Sequence, residues 1–204
     1  MKQGKRWAIV AAGCAVLFAG CRGAGHREEI AELERAERAM REAADAYAAL
    51  PQDSLDAVRI WATTQLRDFE LLAADSGVVL TRAEGAIVSD VSRVRRLLKD
   101  NPDRVARLRA SQEQAADQIR LLIEALQTGA TTDGAGAPID SAYVRRQVAA
   151  ERVAAEAVAA SWEETADYGR RALRLAAATR QRSDSLGEAL RQRLAKWVLE
   201  HGAP

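Results

Sequence analysis

The sequence has few of the residues on which most catalytic and nucleic-acid-binding sites depend. Its 204 residues include two cysteines, two histidines and 4% aromatics, and 30 Lys and Arg balance 29 Asp and Glu. A net charge near zero lacks the basic footprint of a nucleic-acid-binding protein. Neither His26 nor His201 has a second His or Cys at metal-ligand spacing, and the chain has no Gly-rich phosphate loop and no Gly-x-Ser-x-Gly. We therefore expect no catalytic site, no metal, no cofactor and no nucleic-acid partner.

Glycine and proline are also scarce, and their scarcity indicates what the chain can build. Only four prolines and 13 glycines interrupt a sequence dominated by Ala, Arg, Glu and Leu. These four residues are among the best helix formers. Such a composition is typical of long helices and coiled coils.

The N-terminus has the features of an export signal. Residues Met1–Arg6 carry three positive side chains, and the 14 residues from Trp7 to Gly20 carry no charge. That apolar run is shorter than the roughly 20 residues a membrane-spanning helix needs. A basic start followed by a short apolar run is typical of a secretory signal. We predict a cleaved signal over residues 1–20, followed by a short linker over 21–26.

The end of this run, Leu-Phe-Ala-Gly-Cys over residues 17–21, resembles a bacterial lipobox. The resemblance implies cleavage between Gly20 and Cys21 and acylation of Cys21 with chains such as palmitate. Phe18 departs from the usual Leu. Cys14 follows a similar Ala-Ala-Gly, but cleavage there would leave only about seven apolar residues. An uncleaved anchor helix and an ordinary cleaved signal are the other interpretations.

A lipobox implies an exported bacterial protein held in the membrane through its N-terminal lipid. Two or more acyl chains make such an anchor stable. Because Arg22, and not Asp, follows the cysteine, the expected location is the outer membrane, facing the periplasm.

The rest of the chain shows heptad spacing, in which apolar residues recur at alternating intervals of three and four. A first helix is predicted from about Arg27 to Leu50, ending before Pro51. The longest heptad pattern is interrupted at Asn101-Pro102, although its phase continues, which predicts a kink or a tight break with the two pieces nearly collinear. The polar seam residues Asn101 and Gln112 either specify register or mark a locally exposed seam. The longest seam comprises Ile87, Val91, Val94, Leu98, Asn101, Val105, Leu108, Gln112, Ala115, Ile119, Leu122 and Leu126.

Local signals predict where the other helices begin and end. Asp53 is a good N-cap for a second helix, and Thr81 with Glu84 forms a capping-box sequence. The Gly-rich segment 129–139 is the clearest loop, and Asp140 is expected to cap a final helix that reaches about Glu200, with possible breaks at Gly169 and Gly187. We predict an all-α protein, an elongated antiparallel helical hairpin or coiled-coil bundle of four to five helices, with one domain over residues 27–204.

Three groups of residues are candidate sites. An acidic group on the last helix is best interpreted as a solvated face. A basic group is interpreted as paired surface charge, with lipid headgroups or an anionic glycan as its alternative ligands. The tryptophans are either packed or hot spots for a partner. The acidic group is Glu163, Glu164 and Asp167; the basic group is Arg93, Arg95, Arg96 and Lys99; the tryptophans are Trp61, Trp162 and Trp197.

The order of these features resembles small uncharacterised helical lipoproteins of the Bacteroidetes type. The resemblance rests on the lipobox, the Pro-Gln-Asp-Ser-Leu turn at 51–55, the Val-Ser-Arg-Val-Arg-Arg-Leu-Leu-Lys stretch at 91–99, the heptad arm and Ile-Asp-Ser-Ala-Tyr at 139–143. The preference for Arg over Lys departs from that type. The resemblance implies an address in the cell envelope and no particular activity.

These observations lead to one expected function and two alternatives. We expect a lipid-anchored coiled-coil protein that acts as a structural or protein-interaction module, with an envelope protein as partner and a possible homo-oligomer. The first alternative is a periplasmic bundle that carries a lipid or another small apolar ligand. The second is an accessory subunit of an envelope export system.

Overall fold

The computed structural model describes residues 25–74 and 79–202, and these form an all-α bundle of five helices. The helices are α1 (Arg27–Ala48), α2 (Gln52–Ala74), α3 (Arg82–Leu98), α4 (Asn101–Thr128) and α5 (Ser141–His201). The all-α prediction is therefore confirmed. Within the described residues, the β-structure is an isolated antiparallel bridge between Thr132 and Pro138, in the loop before α5.

The chain divides into two compact units, and the division falls within α1, α4 and α5. Of the described residues, the first unit comprises 25–41 and 110–159, and the second comprises 42–74, 79–109 and 160–202. The prediction of one domain over 27–204 stays a prediction. The main buried side chains of the first unit come from α1, α4 and α5: Leu33, Ala36, Met40, Ala115, Ile119, Leu126, Val144, Val148, Ala155 and Ala159.

The second unit has its core between the α2–α3 hairpin and the C-terminal part of α5. Leu55 of α2 packs beside Gly169 of α5, and the side chain of Gln65 reaches Ser183, so α2 runs parallel to α5. The buried residues come from all three helices: Leu55, Val58, Ala62, Leu66, Phe69, Val91, Val94, Leu98, Ala172, Ala176, Leu186 and Leu190.

The break predicted at Asn101-Pro102 is short, and the direction of the chain continues across it. Glu84 at the start of α3 pairs with Arg193 of α5, and Asp90, further along α3, pairs with Arg182. The two helices are therefore antiparallel. On α4, Arg104 then lies over the ring of Tyr168. The start of α4 therefore continues the antiparallel course of α3 along α5, as the unbroken heptad phase predicts.

Pro102 is tolerated here because it occupies the first turn of α4. The amide of Arg104 donates to the Asp100 carbonyl at 2.9 Å, which starts the helix beside the proline. First-turn amides have no partner within the helix, so the missing N–H of proline costs no helical bond there.

The predicted helix ends are mostly confirmed. Thr81 and Glu84 form the capping box, with bonds of 3.3 Å to the Thr81 hydroxyl and 2.8 Å to the Glu84 carboxylate. Asp140 accepts from the Tyr143 amide at 2.7 Å and caps α5. Gly129, with a φ of 67°, ends α4 while the next amide bonds back to Ala125 at 3.0 Å, the arrangement of a Schellman motif.

One expectation about helix ends differs from the structure, and one question that the sequence left open is answered. Asp53 lies inside the first turn of α2, not at its N-cap, because the amide of Leu55 bonds to the carbonyl of Pro51. The glycines 169 and 187 do not break α5, which is one helix of 61 residues. Each glycine instead admits a close neighbour, since a Cβ at Gly169 would lie 3.0 Å from a methyl of Leu50 and one at Gly187 would lie 3.3 Å from the amide of Gln65.

An ion pair fixes the start of α3 against α5. Glu84 bonds to the Arg193 guanidinium, and its side chain is only 14% exposed. The Arg193 hydrogen bond, helped by the Thr81 amide, lowers the pKa of Glu84 from 4.5 to about 2. The ionised carboxylate is therefore the form that stabilises the folded chain.

We predict that Glu84→Gln lowers the melting temperature at neutral pH and loses this effect in acid. Gln at this position preserves the capping box, so the substitution removes the charge and not the cap. Because the pKa of Glu84 is lower in the folded chain than in the unfolded chain, its ionised carboxylate stabilises the fold above pH 4.5. This stabilisation is lost as the pH falls towards 2. Thermal unfolding of both chains across this range would measure the difference.

Arg193→Gln is the matched control for this prediction. It should show the same difference from wild type and the same closing of that difference in acid. A Glu84→Gln effect that stays constant from pH 7 to the acid limit would contradict the role of the charge.

Candidate functional site

Cys21 and Gly20, the predicted acylation and cleavage residues, lie outside the described residues. The nearest described helix, α1, begins at Arg27. Five residues, 22–26, separate Cys21 from this helix start, so the six steps from Cys21 to Arg27 span at most about 20 Å when fully extended. If Cys21 is acylated, the start of α1 must therefore lie close to the bilayer surface.

A shallow groove of about 190 Å³ lies beside the start of α1, within the first unit. It is lined by Glu28, Glu29, Glu32, Arg145, Val148 and Ala149. Charged side chains make up most of this lining, so the groove is unsuited to an apolar ligand. Near it, Arg152 bonds to Glu32 at 2.9 Å and to Glu156 at 2.7 Å, which ties α1 to α5.

Each of the two histidines lies beside one end of a helix. His26 lies 3.8 Å from Glu29, but within residues 25–74 and 79–202 no three His, Cys, Asp or Glu side chains are placed to hold an ion. The second histidine, His201, stacks on Trp197 with ring centroids 5.0 Å apart. Both histidines therefore sit in local contacts of their own helix ends.

The most enclosed polar contact of the second unit joins Asn101 to Tyr47. The Asn101 amide donates to the Tyr47 hydroxyl at 2.8 Å, and the two residues are 8% and 4% exposed. The Tyr47 ring packs against Trp162 with centroids 5.4 Å apart. Of the two interpretations of Asn101, the buried one is therefore correct, and a locally exposed seam is excluded at this position.

This contact has the chemistry of a register-specifying residue and not of a catalytic site. The Asn101 Nδ2 group donates to the Tyr47 hydroxyl, while its Oδ1 has no partner among the described residues. A buried amide whose hydrogen bond comes from one phenol favours the pairing that brings the two together. Gln52 secures the same turn, since its side-chain amide donates to the Tyr47 carbonyl at 2.8 Å and to the Leu50 carbonyl at 3.1 Å. The end of α1 is thereby held against α4 and the first residues of α2.

The tryptophans have different environments. Trp162 is 2% exposed and belongs to the packed core. Trp61 is half-buried, with the Arg180 guanidinium 5.4 Å from its ring. Trp197 is half-buried at the end of α5, and the neighbouring Leu199 is 87% exposed. Among the tryptophans of the described residues, Trp197 thus lies next to a large exposed apolar side chain, that of Leu199.

The acidic group on α5 is paired along its own helix. Asp167 lies 3.5 Å from Arg171, and Glu164 bonds to the Tyr168 hydroxyl and raises its pKa. These contacts agree with a solvated charged face.

The basic group lies mostly on the exposed side of α3. Arg93 pairs with Asp90 at 3.8 Å. Arg95 and Arg96 lie in the last turn, where positive charge complements the helix dipole. The interpretation as paired surface charge is thus supported for Arg93. Arg95 and Arg96 interact favourably with the dipole of α3.

Sequence analysis did not identify the buried polar residues of α5. Thr165, Thr179 and Ser183 are at most 1% exposed. Their spacing from the apolar seam residues would have indicated them, since Thr179 and Ser183 fall three and seven residues after Ala176. Their polarity made the seam pattern look loose in this region.

We predict that Tyr47→Phe destabilises the chain by about 1–3 kcal/mol, because it leaves the buried Asn101 amide without an acceptor. Adding Asn101→Leu to this variant should recover much of the loss, since no polar group is then stranded. Urea unfolding of the two variants and the wild type measures both effects. A Tyr47→Phe variant as stable as the wild type would show that the hydrogen bond contributes nothing.

Comparison with known proteins adds no assignment. No family model, no curated protein and no solved structure matches this chain.

Proposed function

We propose that this chain is a lipid-anchored protein of the bacterial cell envelope, attached through Cys21, that acts as a structural or protein-interaction module without catalysis. The proposed location is the outer membrane, with the helical part facing the periplasm. The observation that carries the proposal is the Leu-Phe-Ala-Gly-Cys sequence, which ends six residues before α1 begins.

The described helices are consistent with anchoring by lipid. None of the helices in residues 25–74 and 79–202 is long and apolar enough to span a bilayer. An acylated Cys21 would attach the chain to a membrane without a spanning helix.

The packing supports an interaction role over a carrier role. The second unit buries small residues such as Ala62, Ala172 and Ala176 between its helices. A carrier of apolar ligands needs a cavity lined by apolar side chains, whereas the groove beside α1 is mostly charged. Trp197 and Leu199 offer apolar contact area at the end of α5.

We predict that Cys21→Ser abolishes processing, whereas Cys14→Ser leaves it intact. Acylation of the cysteine precedes cleavage in lipoprotein maturation, so the Cys21 variant should accumulate as a precursor without incorporated labelled palmitate. Expression in a Gram-negative host, followed by gel mobility and palmitate labelling, measures both steps.

Cys14→Ser is the matched control, because Cys14 lies within the same apolar run. Normal processing of Cys21→Ser, or loss of acylation in Cys14→Ser, would contradict the assignment of Cys21.

We predict that a photoreactive residue at position 199 cross-links to an envelope protein in cells, because Leu199 is 87% exposed beside Trp197. Position 188 provides the matched control, since Glu188 is also exposed on α5 and is charged. The expected result is a discrete adduct from position 199 that position 188 does not give. Equal adducts from both positions, or none from either, would contradict a partner at this surface.

A further inference from the structure

The starts of α1 and α5 lie at the same end of the first unit. The groove beside α1 is lined by Glu28 and Glu29 of α1 and by Arg145 of α5. One turn further along α1, Glu32 pairs with Arg152, which is also further along α5, at 2.9 Å. Contacts that advance together along both helices make α1 and α5 parallel in this unit. The two helix starts therefore face the same direction.

The loop 129–139 belongs to this end as well. The groove places the first turn of α1 level with Arg145, four residues after Ser141, the first residue of α5. At 1.5 Å per residue, Ser141 lies about 6 Å further towards this end than the first turn of α1. The Tyr143 hydroxyl bonds to Asp133 of the loop. Because side chains on a helix point towards its N-terminus, this contact places the loop at the start of α5.

The loop is folded upon itself and its tip is small. The Ile139 amide donates to the Thr131 carbonyl at 2.8 Å, and the Asp133 amide donates to the Ala137 carbonyl at 2.9 Å. These bonds close the loop below residues 134–137, two glycines and two alanines that are all exposed. The loop therefore presents a compact, uncharged tip.

The charge nearest to the tip is already hydrogen-bonded within the loop. Asp133 is the one charged residue of the segment 129–139. Its carboxylate accepts from the amides of Ala137 at 2.8 Å and Ala135 at 2.9 Å. These bonds, with that of the Tyr143 hydroxyl, lower the pKa of Asp133. The tip can thus approach another surface without stripping water from an unbonded charge.

The flank of α1 is less suited to a lipid surface than this end. Leu33 and Met40 are buried in the core. Exposed positions of the helix carry charge pairs, Arg38 with Glu34 and Arg41 with Glu37. A helix that lies along a bilayer needs an exposed apolar face. The helix that follows the proposed anchor therefore gives the unit no reason to lie on its side.

We propose that the loop 129–139 rests on the headgroup surface of the lipid bilayer, held there by acylated Cys21 and its short linker. This inference rests on the proposed lipid anchor. The six steps from Cys21 to Arg27 span at most about 20 Å. Since the loop and Arg27 share one end of the first unit, a linker of this length keeps the loop close to the membrane.

Nitroxide quenching on the full mature lipoprotein tests this proposal. In that chain Cys21 is the one cysteine and its thiol carries lipid, so Ala135→Cys provides a single thiol for an NBD fluorophore at the loop tip. The chain is reconstituted into phosphatidylethanolamine and phosphatidylglycerol vesicles, with or without a lipid that bears a nitroxide on its headgroup. The nitroxide lipid should remove most of the fluorescence at position 135.

Gln114→Cys is the matched control, because Gln114 is exposed on α4 in the same unit. It lies 14 residues before Thr128, the last residue of α4, which is about 21 Å along the helix. Its fluorescence should be unchanged by the nitroxide lipid. Equal quenching at both positions would mean that the unit lies on its side, and this result would overturn the proposal.

Vesicle flotation separates failure of the loop contact from failure of the anchor. A chain that floats with the vesicles but shows no quenching at position 135 is anchored, and it would overturn the loop contact alone. A chain that does not float lacks the anchor, and it would overturn the proposed function as well.

A longer linker tests whether the short one holds the loop in place. A Gly/Ser insertion of about 15 residues after Gly23 adds roughly 20 Å of average reach. The lengthened chain should still float, but most of the quenching at position 135 should be lost. Quenching that survives the insertion would mean that the loop binds lipid by itself, and would overturn the role of the linker.

Discussion

The buried seam of α5 is the surface on which the second unit depends. Its small residues let α2 and the turn before it approach closely, because Gly169 and Gly187 stand where a side chain would meet Leu50 and Gln65. The Glu84–Arg193 pair and the Arg182–Asp90 pair then hold α3 in register at the edge of this surface. Close packing of small side chains gives shape specificity but buries less apolar area per contact than large side chains do.

Polar groups supply part of the specificity that a small-residue seam lacks. The Asn101–Tyr47 bond favours one pairing of α4 with α1, because any other register strands a buried amide. The Gln65 contact with Ser183 does the same for α2 and α5. An Ala-rich coiled coil can slide more easily than a Leu-rich one, so such contacts matter here more than in a bundle with large interlocking side chains.

Much of the fold was predictable from the sequence, because heptad spacing and capping act locally. Thr81 with Glu84, Gly129 and Asp140 all mark helix ends by their own chemistry. The burial of Asn101 was not predictable, since it depends on Tyr47, which is 54 residues away. Whether α5 continues through Gly169 was left open for the same reason: its neighbour Leu50 comes from a different part of the chain. The candidate anchor at Cys21 rests on the sequence alone.

The proposed function combines a lipid anchor at Cys21 with the all-α bundle. Intact-mass spectrometry of the protein extracted from membranes distinguishes an acylated N-terminus from an unprocessed one. The expected species is a chain that begins at Cys21 and carries the added mass of its acyl groups. A chain that begins at Met1, or at any residue without acyl mass, would contradict it.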